Sequence, residues 1–476
     1  MPTTGHAMRR WVLVLSCAAI AAGSARAQSA LWQIYNDAGT KAFHEGKFAD
    51  AEKQFQAAVK EADSDHTNLP QLAKSLNNLA LTFIEESRYA EAEALFRRSL
   101  NIIEQVNGTG SPELATVLNN LGMAQRQLGK YAEAEPLYRR ALAINEKTYG
   151  PNHPTVAKNL NNLALVYTNI GQLPEAESLY RRSLAIAELS FGPNHPDVAA
   201  TLNNLSLVYA KQGRLPEAEA MGQRALAIFQ ISEGPSAPDV ASTLNNLAQF
   251  AREQGRLPES AAMLDRSLAM QKTQPEPERP SLAATMTNLG VVYRSQGNLD
   301  LAGKLLTDAL KIRVKTLGAD SPATAETQAQ LAEVFRDQGR YGDAEPLYRQ
   351  SIASLDKSPP MERPQLTSAL NSYAEMLRKS ERYADATQID ARVRELGGQP
   401  AQLADGGKEA AAQAAGQGVP LPTANVPGAA VQGAPLQPRP APQPQQAPQQ
   451  QQAQQQQAPQ QQQAQPQQQQ QQKPRD

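Results

Sequence analysis

The chain has 476 residues, 41% of them hydrophobic and 5% aromatic, with a formal net charge of −1. So few aromatic residues argue against one large globular core, and the near-neutral balance lacks the basic surface that nucleic acid demands. Cys17 is the only cysteine, and it lies in a segment expected to be removed, so no disulfide or catalytic thiol is expected.

Residues 1–27 read as a secretory signal. Arg9 and Arg10 form the positive region, Trp11 to Ala22 the apolar stretch, and Ala25-Arg26-Ala27 the small-x-small cleavage site. An uncleaved anchor is the alternative, but the apolar run is shorter than the roughly 20 residues that span a bilayer. A lipoprotein reading of Val14-Leu15-Ser16-Cys17 meets an apolar run that is short for the purpose. A twin-arginine reading of Arg9-Arg10 lacks the flanking residues. Cleavage removes Arg9, Arg10 and Arg26 and no acid, giving −1 − 3 = −4.

From residue 31 to about 396 the sequence repeats. Asn78, Asn120, Asn162, Asn204, Asn246 and Asn288 stand 42 residues apart, and Gln330 and Ser372 continue the register. Pro70 to Pro364 and Gly129 to Gly339 keep the same beat. A fixed period in this range signals a solenoid of one repeated supersecondary unit. Within the unit 112–150, Ser111 is placed to cap a helix whose first residue is Pro112. Leu114, Val117, Leu118, Leu121, Ala124 and Leu128 follow at helical spacing. Gly129-Lys130 breaks that helix. A second runs from Tyr131, turns Ala134, Leu137, Tyr138, Ala141, Leu142 and Ile144 inward, and stops at Gly150. Small residues at 92, 134, 176, 218 and 260, and at 99, 141, 183, 225, 267, 309 and 351, leave room where helices cross. Tyr138, Tyr180 and Tyr348 can fill that room. An Ala→Leu change there is expected to overpack the crossing by about 1–3 kcal/mol.

Leu121-Gly122, the aromatics Tyr167, Tyr209 and Tyr293, the turn glycine, and then Ala, Tyr and Ala in the second helix form a pattern that resembles the tetratricopeptide repeat. Leu160-Asn161-Asn162-Leu163-Ala164, Glu175-Ala176-Glu177, Tyr180-Arg181-Arg182-Ser183-Leu184 and Gly192-Pro193-Asn194-His195-Pro196 resemble the 42-residue repeats of kinesin light chain and its bacterial relatives. The resemblance implies an all-α fold: a tetratricopeptide-repeat α-solenoid, a right-handed superhelix of about nine helical hairpins over residues 28–396. The ends depart from the pattern. The first unit precedes the second by 41 residues, with Asp37 where Asn is expected and Gly46-Lys47-Phe48 as its turn. Ser372 and Glu381 replace Asn and Gly in the last unit, as capping repeats allow. The connector 273–282 lacks the Gly-Pro-Asn-His-Pro form and is expected to mark a slight bend.

Residues 397–476 are dominated by Gln, Pro and Ala and are expected to be a disordered, low-complexity tail. They read either as an inert solubilising segment or as an envelope tether or docking segment.

No catalytic constellation is legible. His153 and His195 occupy matching connector positions, which suits a helix-start role better than a metal site. No phosphate loop or nucleophile turn occurs, and neither cofactor nor enzymatic activity is expected. Glu93–Arg97, Glu135–Arg139, Glu177–Arg181 and Glu345–Arg349 are helical i,i+4 pairs, and Arg97-Arg98, Arg139-Arg140 and Arg181-Arg182 read as a solvated face. The resemblance implies that the first helix of each unit lines a concave groove, with the second Asn of each pair placed to bond a peptide backbone. An Asn amide supplies the donor and acceptor an extended peptide lacks. The expected groove residues are Asn78, Asn120, Asn162, Asn204, Asn246, Asn288, Arg126, Arg252, Arg294 and Arg336. Arg378 shares the arginine position, and Asn77, Asn119, Asn161, Asn203 and Asn245 are open to the same argument. The other reading of the ladder is structural: the amides bond neighbouring helices and fix inter-repeat geometry.

The function expected is an exported, most readily periplasmic, interaction scaffold binding a peptide or protein partner, with no nucleic acid and no stable membrane insertion after processing. The alternatives are a rigid spacer with an active tail, and an accessory that presents an enzyme's substrate. The sequence leaves the oligomeric state and the partner's identity open.

Overall fold

The computed structural model describes residues 30–64, 68–274, 279–358 and 363–400. The expected signal 1–27, most of the expected tail, and residues 275–278 of the unusual connector lie outside the described residues. The described chain is helical throughout and contains no strand. Helix α1 covers 30–44 and α2 Phe48–Ser64, followed by α3 Leu69–Glu85, α4 Tyr89–Asn107, α5 Pro112–Gln127, α6 Tyr131–Tyr149, α7 Pro154–Asn169 and α8 Leu173–Phe191. Then come α9 Pro196–Lys211, α10 Leu215–Ser232, α11 Pro238–Glu253, α12 Leu257–Lys272, α13 Pro280–Ser295 and α14 Leu299–Leu317. The last are α15 Pro322–Asp337, α16 Tyr341–Asp356, α17 Arg363–Lys379 and α18 Tyr383–Glu395. They pair into hairpins, odd helix then even, and each packs on the next to form an all-α solenoid.

The helix ends follow from local chemistry. Ser111 Oγ accepts from the Leu114 amide at 3.2 Å, as its place before Pro112 suggests. His153 and His195 cap α7 and α9: each Nδ1 accepts an amide two residues on, at 3.2 Å from Thr155 and 3.1 Å from Asp197. Tyr149 and Phe191 stack on these rings at 4.8 and 4.4 Å, holding them in the capping pose. The turn inside each hairpin needs one left-handed residue. Gly129 supplies it with φ 73°, and the Lys130 amide closes back on the Gln125 carbonyl at 2.8 Å. Ser87 and Glu381 hold the same place at φ 61° and 62°, a conformation that strains a side chain.

The core is a succession of thin clusters, such as Leu114, Ala115, Leu118, Ala141 and Ile144 between α5 and α6. Burying one such large side chain stabilises by about 1.5–3 kcal/mol, and each layer contains only a few. The small residues at the crossings are fully buried, and Tyr138, Tyr180 and Tyr348 fill the space beside them. At Gly122 the fit is tight: a Cβ there would stand 2.9 Å from the Tyr138 ring.

Charged residues join successive hairpins. The residue just before an even helix reaches back to the even helix of the preceding unit: Arg88 to Glu52 at 2.9 Å, Lys130 to Glu93 at 2.8 Å, Arg214 to Glu177 at 3.0 Å, Arg256 to Glu219 at 2.6 Å and Arg382 to Glu345 at 2.7 Å. Gly303 leaves Arg340 without that carboxylate, and it turns to Asp343 instead. The expected i,i+4 pairs form at Glu93–Arg97, Glu135–Arg139, Glu177–Arg181 and Glu345–Arg349. The second arginine of each doublet crosses a unit boundary: Arg98 meets Asp63, Arg140 meets Glu104 and Arg182 meets Glu146. What reads in sequence as a solvated face is therefore partly an inter-repeat fastening.

Odd helices also touch the odd helix of the following hairpin, from α3 to α5 through α15 to α17, and the even helices make no comparable contact. The odd helices thus form the inner row, on which the asparagine ladder lies. No described helix is long and apolar enough to cross a membrane.

Candidate binding surface on the inner helices

The second asparagine of each pair faces the first asparagine of the preceding unit, and the bond between them is made at some boundaries and not at others. Asn78 Nδ2 donates to Asn36 Oδ1 at 3.1 Å, Asn120 Nδ2 to Asn77 Oδ1 at 2.9 Å, and Asn246 Nδ2 to Asn203 Oδ1 at 3.0 Å. These are closed rungs. Asn162, Asn204 and Asn288 make no side-chain hydrogen bond among the described residues. Their counterparts would be Asn119, Asn161 and Asn245, and the Oδ1 of each of these is a buried acceptor with no partner. These are open rungs. Asn36 is a ladder residue the sequence reading missed. The signal was present, because the first unit runs 41 residues ahead and Asn36 therefore matches Asn77.

The first asparagines are anchored from below. Asn161 Nδ2 donates to Ser183 Oγ at 2.9 Å and Thr201 Oγ1 at 2.8 Å. Asn245 repeats the arrangement with Ser267 and Thr285 at 2.8 and 2.9 Å. Asn119 donates to its own helix at the Ala115 carbonyl. Their donors are committed and only their carbonyl oxygens remain.

The arginines divide as well. Arg294 lies 2.5 Å from Glu333 and 3.6 Å from Asp337, and Arg336 lies 2.9 Å from both Glu375 and Asp337. Arg378 pairs with Asp390 on α18. Arg126 and Arg252 have no carboxylate partner among the described residues. Arg126 is only 4% exposed. Burial pushes the pKa of the Tyr138 hydroxyl up to about 12, and the neighbouring Arg126 guanidinium opposes that rise. Arg252 lines a small recess with Gln249, Asn288 and Val292.

One turn past the ladder lie Leu81, Met123, Leu165, Leu207, Gln249 and Val291, then Glu333 and Glu375. The inner row is therefore apolar beside the earlier amides, except at Gln249, and acidic in the last two units. Lys211, two turns past Asn204, is exposed by area, yet desolvation lowers its amine's pKa. A recessed surface explains both: solvent reaches the chain, but protein mass displaces much of the surrounding water.

Chemically, this surface offers amide donors and acceptors, apolar patches and two uncompensated guanidinium groups. No cluster of metal-ligating side chains occurs among the described residues.

Helical hairpins stacked with a recessed, amide-bearing inner row define a helical-repeat interaction protein. The chain belongs to the tetratricopeptide-repeat family, whose model matches residues 33–105, 71–147, 113–188, 155–231, 239–313 and 283–357, with a second tetratricopeptide-repeat model matching 329–400. Among solved structures, a Rap protein complexed with competence and sporulation factor is 14% identical with a TM-score of 0.55, over 77% of this chain and 97% of that one. The apo quorum sensor NprR from B. thuringiensis is 15% identical with a TM-score of 0.54, over 69% and 87%. A kinesin light chain-like protein of nearly identical TPR-like repeats from Podosopora anserina is 26% identical with a TM-score of 0.37, over 43% and 97%. No curated protein sequence matches the chain.

Proposed function

We propose that the protein is a non-catalytic interaction scaffold that holds an extended peptide or protein segment along the concave side formed by its inner helices. The observation that carries this reading is the three open rungs. Asn162, Asn204 and Asn288 offer uncommitted amides at one-unit intervals, beside the unsatisfied acceptors of Asn119, Asn161 and Asn245. An extended segment has unpaired N–H and C=O groups to bond both. Leu165, Leu207 and Val291 provide apolar ground for its side chains. The Rap protein of similar fold holds a bound factor, which is a precedent for a ligand on such an array.

The signal-like residues 1–27 support work outside the cytoplasm, in the periplasm first, with full secretion the alternative. The closed rungs favour a second reading, in which the array is a rigid spacer and residues 397–476 tether or dock it.

The test is affinity capture from the producing cell's envelope fraction with the full chain and with its Asn162→Ala, Asn204→Ala, Asn288→Ala triple variant. Those amides hold nothing internally, so helicity and Tm should stay within about 0.5 kcal/mol of the parent in stability terms. A partner retained by the parent and lost by the variant supports the scaffold reading. The same partners on both chains, or none on either, overturn it in favour of the spacer.

A further inference from the structure

We infer that Asn107 is a site of spontaneous deamidation, and that the carboxylate formed there loosens the joint between the second and third hairpins. This is independent of what the inner row binds.

The repeat supplies its own comparison. Gly108, Gly150, Gly192, Gly234 and Gly318 occupy one position of the connector, with φ between 78° and 96°. The residues before them are Asn107, Tyr149, Phe191, Glu233 and Leu317. Asn107 is the only asparagine of the chain that glycine follows. Tyr149 and Phe191 are held against capping histidines, and Pro151, Pro193 and Pro235 stiffen the residue after their glycines. After Gly108 stand Thr109 and Gly110 instead. This connector therefore combines the reactive pair with the least backbone restraint.

In the reaction the Gly108 nitrogen forms a bond to Asn107 Cγ and gives up its proton. The side-chain nitrogen leaves with that proton as ammonia, closing a succinimide ring. Water opens the ring at either carbonyl, giving aspartate or isoaspartate, and nothing is oxidised or reduced. Glycine suits the attack because no Cβ shields its nitrogen and its backbone turns freely. Asn107 is exposed as the last residue of α4, and a Cβ added at Gly108 or Gly110 would meet nothing within 4 Å. The restraint is the Gly108 N–H, which donates to the Glu104 carbonyl at 3.1 Å. Such a bond at an exposed helix end opens by fraying. Asn371, followed by Ser372, is the nearest rival, but it is half-buried within α17 and donates to the Gln399 carbonyl at 3.1 Å. The ladder asparagines lie inside helices and precede Asn or Leu.

A carboxylate at 107 stands at the negative end of the α4 dipole. It also lies one turn past Glu104, which holds Arg140 of the next hairpin at 2.6 Å. Like charges at that spacing repel, and the newcomer competes for the arginine. The isoaspartate form further lengthens the main chain ahead of Ser111, whose Oγ caps α5.

The experiment ages the full chain in mildly alkaline buffer below its melting transition. Isoelectric focusing follows the charge variants, and peptide mass mapping assigns the site. Asn107→Gln and Thr109→Pro are aged alongside. The parent should gain an acidic variant that maps to Asn107, and Asn107→Gln should not form it over the same period. Thr109→Pro, which restores the Gly-Pro of the other connectors, should form it roughly 10-fold more slowly. Should Thr109→Pro fold poorly, Asn107→Gln alone assigns the site. The separated acidic variant should melt below the unaged parent. Acidic variants that map to Asn371 or to the ladder before Asn107, or an Asn107 that reacts only once the chain is unfolded, overturn the inference. A glycan on Asn107 in chain taken from the producing cell also overturns it, because Asn107-Gly108-Thr109 fits that acceptor pattern too. Equal melting of aged and unaged chain overturns the loosening of the joint.

Discussion

Lys130 Nζ lies 2.8 Å from Glu93 Oε2, so the turn of one hairpin is fastened to the outer helix of the hairpin before it. Glu93 is a hub: Arg97 and Gln125 reach the same carboxylate. Burial raises its pKa, but the hydrogen bonds from Lys130, Arg97 and Gln125 outweigh that and hold it below the usual value of 4.5. Glu177 and Glu345 are lowered in the same way against the same burial.

These lowered values set a pH dependence. A depressed carboxyl contributes stability that is present above its unfolded pKa and lost as pH falls through its folded one. Melting temperature should therefore fall as pH drops below about 4.5, the ordinary glutamate value. A Glu93→Gln, Glu177→Gln, Glu345→Gln variant should show a shallower acid slope in a series of thermal melts. An unchanged slope would remove the hubs from the explanation.

The left-handed turn residues give a second prediction. Ser87→Gly and Glu381→Gly relieve a strained side-chain-bearing position and should each stabilise by up to about 1 kcal/mol, read as a shift in denaturant midpoint with unchanged m-value. The reverse change, Gly129→Ser, should destabilise by a similar amount.

Close packing at Gly122 gives a third. Gly122→Ala puts a Cβ 2.9 Å from the Tyr138 ring and should cost about 1–3 kcal/mol in chemical denaturation. At the equivalent place Ala164 is buried beside Tyr180 without difficulty, so Ala164→Gly should instead lose a small amount through backbone freedom.

The ladder gives a fourth. Asn203→Ala removes the acceptor of a closed rung and strands the Asn246 amide, costing about 1 kcal/mol. Asn204→Ala, one residue on, should be close to neutral for folding. Equal losses in the two melts would erase the distinction between closed and open rungs.

Much of this fold was legible because a solenoid is quasi-one-dimensional. Helix starts at Pro112 and Pro154, breaks at Gly129 and Gly171, and the small-residue crossings all depend on neighbours within one unit or the next, so the 42-residue period displays them directly. The inner surface was half legible. The register placed the asparagines and arginines on one face, but those that are paired, such as Asn120 and Arg336, find their partners on helices about 40 residues away, and helical periodicity carries no information about them. Asn36 was missed because its unit is one residue short; Glu93 was legible as the partner of Arg97 but not of Lys130, which belongs to the next hairpin's turn.

The sequence by itself determined that this chain is a stack of helical hairpins with asparagines and arginines repeating along the first helices. Local propensity, capping and a strict period suffice for that. Only the tertiary structure decided which of those residues are occupied. Asn120 and Arg336 are used within the array, whereas Asn162 and Arg126 are left with unmet bonding capacity. The physical reason is that satisfaction of a polar group is a property of pairs across a packed boundary. Leu165 and Glu375, one turn past the same ladder position, give two arginines of identical register opposite fates.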